Sequence, residues 1–208
     1  MPDIETTVRG GGEHLNTIMR PRRTGYLPGS RQPIGFSSKS PPSYFAATTW
    51  LINSGGLIND GLTDQCANDG KPTHTYNQGV ILGALAELHR AAGDEGLLTA
   101  ARELADSSTT SAELNPDGIL RDPHEGGGCD SDGASFKGAY VRGLGALDEQ
   151  LADHPYESYL DRQADSAYGK DRNALDMYGP HGNGWTDFGG GHGCQHSALD
   201  LLNAASPR

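Results

Sequence analysis

The sequence predicts an all-α fold, and three observations carry that reading. Through residues 76–92, Val80, Ile81, Ala84, Leu85 and Leu88 fall at i, i+1, i+4, i+5 and i+8, the period of one helix face. No run of alternating apolar and polar residues bounded by turns competes with it. Helix starts of one type also recur at Gly79, Gly138 and Gln195, a spacing of roughly 60 residues that suits a helical hairpin plus a long loop.

The elements follow in order. Residues 1–42 carry RPRR, PGSRQP and SSKSPP without an apolar period, and read as a disordered or poorly ordered segment ahead of one helical domain at 43–208. The apolar stretch SYFAATTWLIN (43–53) predicts a short helix stopped by Ser54-Gly55-Gly56. After helix 76–92, Gly93 ends one helix and Asp94 caps the next, over 95–106, with Leu97, Leu98, Ala101 and Leu104 inward. A join this tight makes an antiparallel hairpin. Ser135 is positioned to cap a helix over 136–152, Asp153-His154-Pro155 breaks it, and Tyr159, Leu160, Gln163 and Ala167 line a helix over 156–168. A last helix covers 195–205.

Charge excludes whole classes of partner. Lys+Arg 16 against Asp+Glu 27 leaves a net charge of -11, which repels a phosphate backbone and an anionic membrane surface, so no nucleic acid is expected. Nothing approaches the ~20 apolar residues of a membrane span, and no apolar run behind the first charges reads as a secretory signal. With 30 glycines, much of the chain is loop.

Those loops gather Asp60, Cys66, Asp117, Asp122, Cys129, Asp132, His181, Trp185, Asp187 and His192 where helices of the first type begin, a polar, functional rim. Thr75-Tyr76-Asn77-Gln78-Gly79 opens one such helix. Neutral amides there either cap the helix or pair with sugar hydroxyls, and Tyr76 suits a sugar ring face. Asp132 through Gly138 again sets an aromatic, Phe136, and a polar group, Lys137, at a helix start. A lysine in a first turn opposes the helix dipole at a cost of a few tenths of a kcal/mol, roughly, which calls for another reason for its presence. His192, Cys194 and His196 (HGCQH) offer zinc donors but lack the second half of a common zinc pattern, so no metal and no cofactor is read. The runs Gly10–Gly12, Gly126–Gly128 and Gly189–Gly191 lack the lysine and strand of a phosphate-cradling loop.

GLINDGL (56–62), TYNQGVILGALAELHRAAGD (75–94), DGIL (117–120), Cys129 with Asp132, FKGAYVRGLGAL (136–147) and QHSALDLLNAA (195–205) together resemble glycoside hydrolase family 76. That family comprises endo-α-1,6-mannanases and fungal cell-wall mannan transglycosylases. The resemblance, over about residues 44–206, implies the C-terminal half of an (α/α)6 barrel, α-1,6-linked mannan as the partner, and a protein typically secreted or attached to the cell wall. It implies retaining cleavage, which needs a nucleophile and an acid/base carboxylate about 5 Å apart. In the family an adjacent Asp pair supplies both, and no Asp-Asp dipeptide occurs in this sequence. No residue is therefore assigned a catalytic role. Asp60, Tyr76, Asn77, Gln78, Asp132, Phe136 and Lys137 fall in matching blocks and are expected around sugar subsites. The alternatives to a glycosidase are a non-catalytic mannan-binding half-barrel and a non-functional fragment that self-associates through open barrel edges. Cys66 and Cys129 both precede inner helices of the implied barrel and are expected to pair when oxidised.

Overall fold

The structure, a computed structural model, describes residues 50–182, 184 and 191–206. The expected disordered segment at 1–42, together with Trp185 and Asp187, lies outside them. Five α-helices make up the described fold: α1 (Thr75–Ala92), α2 (Glu95–Thr110), α3 (Gly133–Asp148), α4 (Glu157–Lys170) and α5 (His192–Ala204). Helices α1, α3 and α5 lie side by side as an inner layer, with α2 packed on α1 and α4 on α5.

Local chemistry explains the hairpins. Gly93 takes the left-handed conformation (φ 67°) and its N–H bonds the His89 carbonyl, while the Asp94 carboxylate accepts from the Gly96 N–H and opens α2. Between α3 and α4 the Asp148 carboxylate accepts the Tyr156 N–H at 2.8 Å, so the break comes with its own cap. Helix α4 begins after Pro155, at Glu157.

The layer is held by shape as much as by area. A Cβ on Gly79 would sit 2.3 Å from Tyr140 Cα, and one on Gly143 2.0 Å from the Gly79 carbonyl oxygen, so α1 and α3 cross with their backbones touching. Around that crossing Leu82, Leu85 and Ala86 of α1 meet Leu97, Ala101 and Leu104 of α2 and Tyr140, Val141, Leu144 and Leu147 of α3, all buried. The buried face of α1 is rotated from the expected stripe: Val80 is 59% exposed, and Gln78, Gly79 and Leu82 turn inward instead. The close glycine contact fits this face, since it lets the backbones of α1 and α3 touch. Helix α2 buries Leu97, Leu98, Ala101 and Leu104 as expected.

Two loops of one build precede the first and last helices. In the first, Ile52 and Ile58 pair as an isolated antiparallel bridge, and the Asn53 side-chain oxygen accepts from the N–H groups of Gly55 and Leu57. In the second, Arg172 pairs with Tyr178, and the Asn173 oxygen accepts from Leu175 and Met177. The expected helix over 43–53 is corrected here: among its described residues, 50 and 51 form a turn and Ile52 enters the bridge. Asn53 closes an Asx turn that competes with helix at that point.

Candidate functional site

The N-terminal ends of α1 and α3 converge, and the side chains they carry form the candidate site. Helix α1 has no side-chain cap of its own at His74. Asp122 supplies one from 47 residues away, its Oδ2 accepting the Thr75 N–H at 2.7 Å and the Thr75 hydroxyl at 2.6 Å. Its Oδ1 accepts the His124 N–H at 2.8 Å. This fully buried carboxylate faces the positive end of the α1 dipole.

Above this cap lies an aromatic cluster. Tyr76 and Phe136 approach to 4.5 Å between ring centroids, His74 stacks on Tyr76 at 5.8 Å and on His124 at 4.7 Å, and Phe136 meets His74 edge-on. The Tyr76 hydroxyl donates to Asp60 Oδ1 at 2.6 Å and the Asn77 amide donates to the same oxygen at 3.3 Å. These two bonds hold the exposed Asp60 carboxyl below its ordinary range, Tyr76 contributing most. The Asp60 charge in turn raises the Tyr76 hydroxyl. The result is an anionic hydrogen-bond acceptor beside a half-buried aromatic face, the pairing that suits sugar hydroxyls and the apolar face of a sugar ring.

Of the expected site residues, Asp60, Tyr76, Asn77 and Phe136 come together in this way. The other three sit differently. Gln78 is buried with its amide spent on backbone: Oε1 accepts the Ile58 N–H at 2.9 Å, and Nε2 donates to the carbonyls of Ile58 at 2.8 Å and His74 at 3.1 Å. It pins the first loop to α1. Asp132 is exposed at the start of α3 and makes no side-chain cap bond. Lys137 donates to Glu125 Oε2 at 2.9 Å and to the Pro180 carbonyl oxygen. This tie to Glu125 is the other reason that a lysine near this helix start calls for.

Glu125 is the residue that sequence reasoning missed. Its side chain is 6% exposed, with Arg121 at 2.8 Å, His181 at 3.0 Å, Lys137 at 2.9 Å and the Asp122 N–H at 3.2 Å. Burial alone raises its carboxyl, but Lys137, Arg121 and His181 outweigh that and hold it below the ordinary value. One anion thus joins the 121–127 loop, α3 and the loop ahead of α5. Its place inside a glycine-rich stretch hides it from any reading by period.

The expected pairing of Cys66 with Cys129 is corrected: Cys129 bonds Cys194, with Cα atoms 5.1 Å apart, and Cys66 is free and exposed. Helices α3 and α5 are neighbours, and the Gly193 N–H bonds the Cys129 carbonyl at 3.3 Å, which sets the two sulfurs together. Cys66 occupies a turn on the surface, where its N–H bonds the Thr63 carbonyl. The same bridge takes Cys194 out of the HGCQH donor set, and His196 lies 3.7 Å from Asp200 one helical turn on.

Known proteins share the sequence pattern and the fold. The family model described as glycosyl hydrolase family 76 matches residues 44–205. The chain belongs to that family. Among solved structures, the family 76 α-1,6-mannanase GH76A of Salegentibacter sp. HEL1_6 is similar at 26% identity and TM-score 0.66, over 78% of this chain and 49% of that one. An inactive variant of that mannanase in complex with α-1,6-mannotetrose matches at 25% identity and TM-score 0.65, with the same coverage. The Lin0763 protein from Listeria innocua matches at 26% identity and TM-score 0.65, over 78% of this chain and 46% of that one. The chain therefore spans about half the length of these solved structures, and the family 76 mannanases among them are (α/α)6 barrels. No functionally curated protein matches it.

Proposed function

We propose that this family 76 chain binds α-1,6-linked mannan at the joined N-terminal ends of α1 and α3, and that the chain alone does not cleave it. The observation that carries the reading is the Asp60–Tyr76–Asn77 cluster packed against Phe136, an acceptor and an aromatic face on one exposed rim. Family membership and the mannooligosaccharide bound by a similar mannanase support the substrate class. The absence of an Asp-Asp dipeptide supports the lack of turnover, because retaining cleavage needs two carboxylates about 5 Å apart. Asp60 has Tyr76 and Asn77 as its bonded neighbours, and neither is a carboxylate.

In this reading Asp60 accepts from sugar hydroxyls, Tyr76 and Phe136 lie against the ring, and Asn77 both positions Asp60 and offers its amide. Gln78 and Lys137 act behind them by holding the loops in place. Val80 and Leu199, exposed on the inner-layer helices, support self-association of the isolated chain, readable as mass above a monomer by light scattering.

The test is calorimetric titration with α-1,6-mannotriose beside an assay for reducing sugar released from α-1,6-mannan. Binding without release is expected, and Tyr76→Ala is expected to weaken it about fivefold, an aromatic contact being worth about 1 kcal/mol. Absence of binding to the wild-type chain removes the proposal, and sustained release of sugar overturns its second half.

A further inference from the structure

Beneath the aromatic rim, His74, Asp122 and His124 each offer one donor atom, and the three donors lie within 4.8 Å of one another. His74 and Asp122 are buried, while His124 is exposed on the outer side. His74 Nδ1 stands 3.4 Å from Asp122 Oδ1 and 3.5 Å from His124 Nδ1. Both separations exceed the 2.7–3.2 Å, roughly, of a good N–H···O bond. They match another geometry: ligands about 2.0–2.2 Å from a tetrahedral metal lie about 3.3–3.6 Å from each other.

We propose that His74, Asp122 and His124 form a binding site for a divalent d-block cation of the zinc class, with water completing the coordination on the open side at His124. Two imidazole nitrogens and one carboxylate oxygen are a recurring zinc donor set. The outer positions of these ligands are already fixed. Asp122 Oδ2 is bonded twice by Thr75, and Oδ1 is oriented by the His124 N–H, so the carboxylate is held without the metal. The near-parallel stack of His74 on His124 opens when an ion binds both Nδ1 atoms, while Phe136 holds the edge of His74. Such support orients ligands and strengthens their hold on a metal. The sequence hides the set because His74 stands 48 residues before Asp122. The occupied site would bind the 122–124 loop to the start of α1, directly behind Tyr76. It is independent of the proposed sugar binding, since none of the three is among the residues assigned to the sugar.

The test is a zinc titration of the chelator-stripped full chain against a chromophoric competitor. One equivalent is expected to bind. His124→Ala, a change at an exposed residue whose folding circular dichroism can verify, is expected to weaken it by more than about 100-fold, because even outer-shell partners of a metal are worth about 10–100-fold. His196→Ala is expected to leave it unchanged. X-ray absorption of the zinc-loaded chain is expected to count two imidazoles. Failure of the wild type to take up one equivalent, equal affinity in His124→Ala, or loss in His196→Ala instead would each overturn the site.

Discussion

The loop ahead of α1 and the loop ahead of α5 share a backbone and differ in what they hold. Each has an isolated bridge closed around an asparagine oxygen that accepts two N–H groups, and each is pinned by a glutamine from the helix that follows; the first loop adds a second bridge, Leu62 with Asn68. In the first, Gln78 is buried and makes three bonds, and the loop goes on to present Asp60 to Tyr76 and Asn77. In the second, Gln195 accepts from the Tyr178 N–H and makes a longer bond, 3.4 Å, to the Asp176 carbonyl. Here the loop delivers Pro180 and His181 to the Glu125 network, and the helix start is bonded covalently to Cys129. The lesson is that one loop design serves two ends: where polar groups must face outward the glutamine does the anchoring, and where it is weaker a disulfide takes over.

Breaking the covalent anchor is the largest test of that contrast. Cys129→Ser with Cys194→Ser is expected to cost about 4 kcal/mol in denaturant unfolding, the loop-closure value for a loop of this length. Thiol counting on the denatured, unreduced protein is expected to find one free group, Cys66. Next in size, Gln78→Ala leaves the backbone N–H and carbonyl of Ile58 without their partner and is expected to cost about 2–3 kcal/mol, against about 1 kcal/mol for Gln195→Ala. Equal losses would break the comparison.

Asp171 sharpens it from the second loop's side. Its carboxyl is pushed up to about 7, by burial first and by Glu125, with Lys137 opposing, and among the described residues its Oδ1 has no hydrogen-bond partner. The folded state therefore holds the proton more tightly than the unfolded chain. That contribution is fully present below the ordinary carboxylate value near 4 and is lost as pH rises toward 7. Unfolding midpoints of the wild type are expected to fall between pH 5 and pH 7.5 relative to Asp171→Asn, by less than the Gln78→Ala loss because Lys137 and solvent soften the charge. Smallest on stability is Asp60→Asn, expected within about 0.5 kcal/mol of wild type at an exposed loop, while it weakens mannotriose binding in calorimetry.

How much of this was legible follows from the range of each interaction. Helices α1, α2, α4 and α5 were readable because their caps and apolar periods are local: Gly93 and Asp94 stand next to the turns they make. Residues 50–53 misled for the same reason, since an apolar run before Asn53 looks alike as helix or as half of a bridge, and only Ile58 decides. Of the site, Asp60, Tyr76, Asn77 and Phe136 sit in motif blocks, whereas Glu125 and the Cys129–Cys194 bond depend on which helices become neighbours. The turned face of α1 was invisible because it is set by Gly79 against Gly143, a contact made of missing side chains.

The capping of α1 by Asp122 bears on motion as well as on form. A helix end normally frays alone, but the Thr75 amide proton is held by a carboxylate on another loop. Its hydrogen exchange is therefore tied to the opening of residues 121–125, so the rim that carries Tyr76 and the loop beneath it loosen together or not at all.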